Sequence, residues 1–175
     1  FDSGYSATEH LISKGCRQIA FLAMSENLAI INHRQRGYEE ALRVHGLQHN
    51  KNLIINCKNS EADCLSLIRR KLKNKNRPDG IVGSVEKLTT AVYTICNELK
   101  LKIPQDVKVI SFSSLQIASL LNPSLTTITQ PAFEMGKIAA KFLFNILEKK
   151  ALDVGRETVV LPSILVERRS TQKSK

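Results

Sequence analysis

The sequence contains no tryptophan, and only 5% of its 175 residues are aromatic. It has no apolar run long enough to cross a membrane. Its four cysteines form no C-x-x-C pair, which argues against a zinc cluster. The motifs of serine hydrolases, P-loop enzymes, zinc proteases and dinucleotide-binding enzymes are also missing. We therefore predict a protein that is not an enzyme and that needs neither a metal nor a cofactor.

The sequence also lacks an initiator methionine, since it begins with Phe1, and it carries no signal peptide. We interpret it as a cut through a larger protein, so the missing signal does not decide the compartment. Each of the four cysteines, Cys16, Cys57, Cys64 and Cys96, has an apolar residue within three positions. We expect reduced, mostly buried thiols in a cytosolic protein.

Acidic residues are scarce, because 26 basic and 16 acidic side chains give a formal net charge of +10. Such a balance favours polyanionic surroundings such as nucleic acid. The basic residues are scattered, however, in short runs at 71–75, 149–150, 168–169 and 173–175, and none of these runs contains an aromatic residue. Solvated helix faces are therefore the favoured interpretation, and direct nucleic-acid contact is the alternative.

The remaining pattern alternates strand-like and helix-like segments, which predicts an α/β fold with a parallel, doubly wound sheet. Ser60 and Asp63 have the spacing of a helix start, and Ser84 could cap the next helix. Predicted helices cover residues 6–14, 33–45, 60–73, 84–99 and 131–149, and predicted strands cover 19–23, 53–57, 80–83, 107–112, 125–129, 158–161 and 164–167.

Two further stretches attract attention. Ser113 and Ser114 form a polar loop after the strand at 107–112, and open α/β sheets bind ligands at the carboxyl ends of their strands. Residues 115–121 (LQIASLL) are too apolar for a short exposed helix. They are either buried locally or in contact with a partner subunit.

Five phrases, taken in order, resemble the effector-binding core of LacI/GalR-type transcriptional regulators, which are built like periplasmic sugar-binding proteins. They are ATEHLISKGCRQIAFL (7–22), RQRGYEEAL (34–42), RPDGIVGS (77–84), IPQDVKVISF (103–112) and LNPSLTTITQPAFEMGKIAA (121–140). The resemblance covers almost the whole chain.

The resemblance implies two Rossmann-like lobes joined by three crossings, with the N-terminal lobe incomplete. Residues 1–23 and 131–159 would belong to the N-subdomain. Residues 24–130 and 160–169 would form the C-subdomain, and residues 170–175 would be a flexible tail. The DNA-binding helix-turn-helix would be absent from this sequence.

The resemblance also implies a cytoplasmic regulator that senses a small metabolite, a sugar or a sugar phosphate, between its lobes. Binding of that metabolite would change the angle between the lobes. Operator DNA would bind through the missing N-terminal domain. Homodimerisation is expected through residues 115–121 and the helix at 88–99. The alternative is a periplasmic sugar-binding protein of a transporter, against which the four cysteines and the LTTITQP phrase count.

Four residues are candidate effector ligands by this resemblance: Arg34, Ser84, Ser113 and Asp2. Arg34 matches a helix arginine that often faces the cleft, although it could be an ordinary exposed residue. Ser84 and Ser113 stand where sugar-binding members carry Asn and Asp, and serine accepts hydrogen bonds from sugar hydroxyls far less well than a carboxylate. We therefore expect a phosphorylated sugar or another anionic metabolite, and the rival interpretation is a lost effector site.

Overall fold

The computed structural model describes residues 1–24, 28–57, 60–149 and 158–172, apart from the side chain of residue 149. A short 3₁₀ helix at Lys51–Leu53 precedes the second strand. The described helices are α1 (Asp2–Ser13), α2 (Ala29–Val44), α3 (Glu61–Leu72), α4 (Glu86–Glu98), α5 (Ile117–Leu120) and α6 (Ala132–Lys149). The described strands are β1 (Ile19–Ala23), β2 (Ile54–Asn56), β3 (Gly80–Gly83), β4 (Lys108–Phe112), β5 (Thr126–Thr129) and β6 (Ile164–Val166).

The described strands form one six-stranded sheet in the order β2-β1-β3-β4-β5-β6. All neighbours from β2 to β5 are parallel, and β6 runs antiparallel to β5. The central strands β1 and β3 are buried at every residue, as expected for continuous apolar runs covered on both faces. The predicted α/β class with a mostly parallel sheet is confirmed.

Helices cover the two faces of the sheet and divide the core into two clusters. On one face α1 and α2 pack over β1, where the Phe21 and Tyr38 ring centroids lie 5.3 Å apart. The Tyr38 hydroxyl donates a hydrogen bond to the Ile19 carbonyl oxygen at 2.8 Å, so its polar end is satisfied inside the core. On the other face α3 and α4 supply residues such as Ile68 and Val92.

Two glycines allow α1 and α2 to cross closely. A Cβ atom on Gly4 would lie 2.1 Å from the Arg34 carbonyl oxygen, and one on Gly37 would lie 2.1 Å from the Phe1 carbonyl oxygen. Any larger residue would push the two helices apart. The close crossing therefore fixes the position of α2, the helix that carries Arg34.

The position of β1 corrects the predicted lobe boundary. Its residues pair with β2 on one side and with β3 on the other. Residues 1–23 therefore lie in the same layered unit as β2 to β5, and their assignment to the other lobe was wrong. The physical reason is that a strand buried on both faces needs two hydrogen-bonded neighbours, and this chain supplies both.

The helix starts also test the sequence analysis. The predicted capping box of α3 is confirmed, because the Ser60 hydroxyl accepts from the Asp63 amide and the Asp63 carboxylate accepts from the Ser60 amide. Val85, not Ser84, occupies the N-cap of α4. Ser6 does not begin the first helix, which starts at Asp2.

The C-terminal segment after β6 is pinned to the sheet. The Ser170 hydroxyl donates to the Val109 carbonyl oxygen at 2.6 Å and accepts from the Thr126 amide at 2.8 Å. Ser170 and Thr171 are fully buried, so the prediction of a flexible tail was wrong for both. Residues 173–175 of that predicted tail lie outside the described residues. The predicted strand at 158–161 is not a strand in the structure.

Helix α6 is different from the other long helices because its apolar side chains face outward. Phe133 is 81% exposed, and Val160 in the segment that follows is 79% exposed. A cavity of about 480 Å³ is lined by one side of α6, by residues 159–161 and by Ser163. The broad apolar face predicted for this helix therefore has little cover among the described residues.

The cysteines divide into two kinds. Cys57 after β2 and Cys64 in the first turns of α3 form a disulfide bond, so the expectation of reduced thiols was wrong for this pair. Cys16 and Cys96 are free and buried, as expected.

Candidate functional site

The carboxyl ends of β3 and β4 lie side by side, because Gly83 is in register with Ser111. The chain after β3 begins with Ser84, and the chain after β4 begins with Ser113. Parallel sheets bind ligands at this edge, since helix N-termini and strand ends leave polar groups there. Three of the four candidate residues meet at this place.

Arg34 reaches this edge from α2. Only 7% of its surface is exposed, so the interpretation of an ordinary exposed arginine was wrong. Its guanidinium carbon lies 4.0 Å from the centre of the Phe112 ring, and Nη1 donates to the Ser84 carbonyl oxygen at 2.6 Å. The ring face attracts the cation and the carbonyl fixes its orientation. Burial lowers the pKa of Arg34, because desolvation disfavours the charged form.

Ser84 is fully buried beneath the arginine. Its amide donates to the Leu22 carbonyl oxygen at 2.9 Å, but its hydroxyl has no hydrogen-bond partner among the described residues. The buried Thr89 hydroxyl also has none in that part of the chain. Leaving a polar atom buried and unpaired costs about 1–3 kcal/mol. The fold therefore tolerates two such costs at one strand end.

Ser113 is bonded to a residue that sequence reasoning missed. Its hydroxyl donates to Glu86 Oε2 at 2.5 Å and accepts from the Leu115 amide at 3.1 Å. Glu86 begins α4, where an acidic side chain is favoured by the helix dipole. That helix-start signal was visible in the sequence, but the pairing with a residue 27 positions away was not.

Asp2 lies elsewhere. It is exposed at the start of α1 and lines a cavity of about 430 Å³ with Ser3, Ile128, residues 160–163 and Leu165. Among the described residues it forms no hydrogen bond or ion pair with Arg34, Ser84 or Ser113. The structure thus brings together the other three candidates and leaves Asp2 apart.

A third cavity, of about 420 Å³, lies between α3 and α4 near the end of β2. The disulfide-bonded Cys57 and Cys64 line it, and so does Lys87, whose ammonium lies 3.6 Å from the Glu61 carboxylate. This cavity contains none of the candidate ligands. Within the described ranges, no group of three His, Cys, Asp or Glu side chains is placed to hold a metal ion. None of the helices described here has the length and hydrophobicity to span a membrane.

Comparisons with known proteins agree with this arrangement. A family model of the periplasmic binding protein-like domain matches residues 8–171. The ribose operon repressor of Halalkalibacterium halodurans is 27% identical over 166 residues, which are 95% of this chain and 49% of that protein. The chain spans about half the length of the curated relatives it matches.

Solved structures give the same answer. The transcription regulator CcpA of Lactococcus lactis has a TM-score of 0.83 at 27% identity, over 97% of this chain and 61% of that one. A sugar-binding LacI-family regulator from Escherichia coli, solved in complex with phosphate, has a TM-score of 0.80 at 26% identity, over 97% and 60%. The chain therefore belongs to the periplasmic binding protein-like domain family, and it is similar over almost its whole length to parts of known transcriptional regulators.

Proposed function

We propose that the chain senses a small carbohydrate-like metabolite for a DNA-binding transcriptional regulator, at the carboxyl ends of β3 and β4. The observation that carries the proposal is the buried Arg34, stacked on Phe112 and held by the Ser84 carbonyl. A rigid guanidinium at a strand end is suited to hydroxyl and other oxygen ligands, because its donors form a fixed fork.

The signal passes through a second lobe in this proposal. Helix α6 and the segment around Val160 expose apolar side chains, and we assign residues 131–159 to that lobe. Effector binding between the lobes favours one lobe angle over another, which is an equilibrium biased by differential affinity. Operator DNA is contacted by a further domain of the longer protein, as the length of the relatives suggests.

A second copy of the chain is the proposed partner at residues 115–121. Leu120 is 80% exposed, and Leu115 and Ile117 are also exposed. By contrast, the apolar stripe of α4 is buried against its own sheet at Leu88, Val92 and Ile95. Only the outer face of α4 is therefore available to an interface. In this proposal the 115–121 segment supplies the apolar part of that interface.

The comparisons favour a regulator over a periplasmic receptor of a transporter, since the relatives named above are transcriptional regulators. We propose a cytoplasmic location and no catalytic activity. The Cys57–Cys64 disulfide is unusual for a reducing compartment. Alkylation of the free thiols in intact cells, followed by mass spectrometry, measures how much of this pair is oxidised there.

The site is tested by a substitution of Arg34 that keeps its positive charge but removes the forked N–H donors of the guanidinium. Calorimetric titration of the full-length protein with D-ribose, L-arabinose and cellobiose identifies a binding sugar. Arg34→Lys should weaken its affinity by about tenfold or more, because lysine cannot stack on Phe112 and reach the same carbonyl. Arg36→Lys, an exposed position on the same helix, is the matched control and should leave the affinity unchanged.

Two results would contradict the proposal. Equal affinities for wild type and Arg34→Lys would place the site elsewhere. Failure of every sugar, nucleobase and sugar phosphate to bind would instead support the lost effector site.

A further inference from the structure

A carboxylate occupies the strand end at which the sequence predicted none. Glu86 is half-buried at the first residue of α4, and the Ser113 hydroxyl donates to its Oε2 atom at 2.5 Å. The expectation of an anionic effector assumed that serine stands in place of an acid at this strand end. In the folded chain Glu86 supplies a carboxylate there.

The hydrogen bonds of Ser113 show which of the two residues is free to bind a ligand. The Ser113 proton is committed to Glu86, and the hydroxyl oxygen already accepts from the Leu115 amide at 3.1 Å. Ser113 therefore acts as a positioning residue that orients the carboxylate. Glu86 Oε1 accepts no hydrogen bond from the described residues, so this atom can accept one from a ligand.

The charges at this edge are balanced. Arg34 forms no ion pair with a carboxylate of the described residues, and Glu86 forms none with a described basic side chain. One group only donates hydrogen bonds and the other only accepts them. A polyhydroxylated molecule without charge matches both, because each hydroxyl can donate to Glu86 and accept from Arg34. A phosphate ester would bring its charge towards a carboxylate in a partly desolvated site, which is unfavourable.

Resting on the proposed function, we infer that Glu86, oriented by Ser113, determines effector specificity and selects an uncharged, hydroxyl-rich ligand over its phosphate ester. This assigns to α4 the acceptor role that the resemblance placed on the strand end at position 113. A purely structural role for Glu86 at the helix N-terminus predicts a different result, since it affects stability and leaves selectivity unchanged.

The test uses matched pairs of ligands on the full-length protein: D-ribose with D-ribose 5-phosphate, and D-glucose with D-glucose 6-phosphate. Calorimetric titration gives the ratio of affinities for the neutral sugar and its ester. Wild type should prefer the neutral member of a binding pair. Glu86→Gln keeps the size of the side chain and removes its charge, so it should weaken sugar binding and reduce the ratio by about tenfold.

Glu98→Gln is the matched control, because it removes a carboxylate from the exposed far end of the same helix. It should leave the ratio at the wild-type value. Binding with an unchanged ratio in Glu86→Gln, or a wild-type preference for the phosphate ester, would overturn this inference alone. Failure of all four ligands together with all other sugars would overturn the proposed function as well.

Discussion

Two sets of buried polar groups lie on the same sheet. One set is hydrogen-bonded, whereas in the other the Ser84 and Thr89 hydroxyls have no partner among the described residues. At the C-terminal segment the Thr171 hydroxyl contacts both the Thr126 hydroxyl and the His10 ring nitrogen, each at 2.8 Å, and the Ser170 hydroxyl bonds to Val109. At the end of β3 the Ser84 hydroxyl, in the same class of burial, has no partner in the described part of the chain.

The difference indicates what each set is for. A buried polar group with all its partners holds elements together, and here it ties the end of the chain to α1, β4 and β5. A buried polar group without a partner stabilises nothing and is retained at the cost of desolvation. In our account that cost persists because the edge formed by β3 and β4 binds an effector.

The largest effect on stability is expected from Ser170→Ala. The change leaves the Val109 carbonyl and the Thr126 amide without their buried partner, which should cost about 1–3 kcal/mol of unfolding free energy. Urea unfolding measures the loss. Ser66→Ala, at an exposed position of α3, is the control and should stay within about 0.5 kcal/mol of wild type. An equal and small change in both variants would mean that the C-terminal segment is not fixed by these bonds.

A smaller effect, on ligand affinity, is expected from Phe112→Leu at the carboxyl end of β4. The leucine keeps an apolar side chain beneath Arg34 but removes the ring face that attracts the guanidinium. This contact is worth roughly 0.5–2 kcal/mol, so affinity for a binding sugar should fall by about twofold to thirtyfold. Calorimetric titration tests it, and an unchanged affinity would show that the ring does not orient the arginine for binding.

The effect of pH on stability should be smaller still. It arises from His10, which contacts Thr171 in the hydrogen-bonded set. Burial lowers the pKa of His10 below its ordinary 6.5, with Glu167 raising it and Lys14 lowering it to lesser degrees. The unfolded chain therefore takes up the proton more readily than the folded chain. The contribution of His10 is complete above about pH 6.5 and is lost as the pH falls towards the folded-state pKa.

The measurement is the urea midpoint at several pH values between 7.5 and 5, in wild type and in His10→Asn. We expect the midpoint of wild type to fall more steeply with acidification than that of the variant. Parallel curves for the two proteins would contradict this assignment of His10. The expected shift is smaller than that caused by Ser170→Ala, because only one group titrates.

Much of the fold could be predicted because its signals are local. Apolar runs marked β1, β3 and β4, and the Ser60–Asp63 spacing marked the start of α3. Arg34 was found because it stands in a phrase with a strong family resemblance. Each of these depends on neighbours within about ten residues.

The rest could not be predicted, since it depends on contacts between distant parts of the chain. The Glu86–Ser113 bond and the burial of Ser170 under β4 and β5 are of this kind. The placement of β1 between β2 and β3 is another, because its apolar residues fit any buried strand. The Cys57–Cys64 bond joins a strand end to a helix across residues whose spacing suggested no pair.

The most direct test of the central claim compares Ser84→Ala with Ser170→Ala under the same unfolding conditions. Both changes replace a buried serine by alanine, so the two variants differ only in the hydrogen bonds that the hydroxyl makes. Our account predicts that Ser170→Ala lowers the free energy of unfolding by about 1–3 kcal/mol. Ser84→Ala should leave the free energy of unfolding unchanged or raise it slightly, because the Ser84 hydroxyl has no hydrogen-bond partner among the described residues. A comparable loss in Ser84→Ala would show that its hydroxyl is bonded in the folded protein. That result would contradict the claim that the hydroxyls at the C-terminal segment stabilise the fold, whereas the Ser84 hydroxyl at the end of β3 does not.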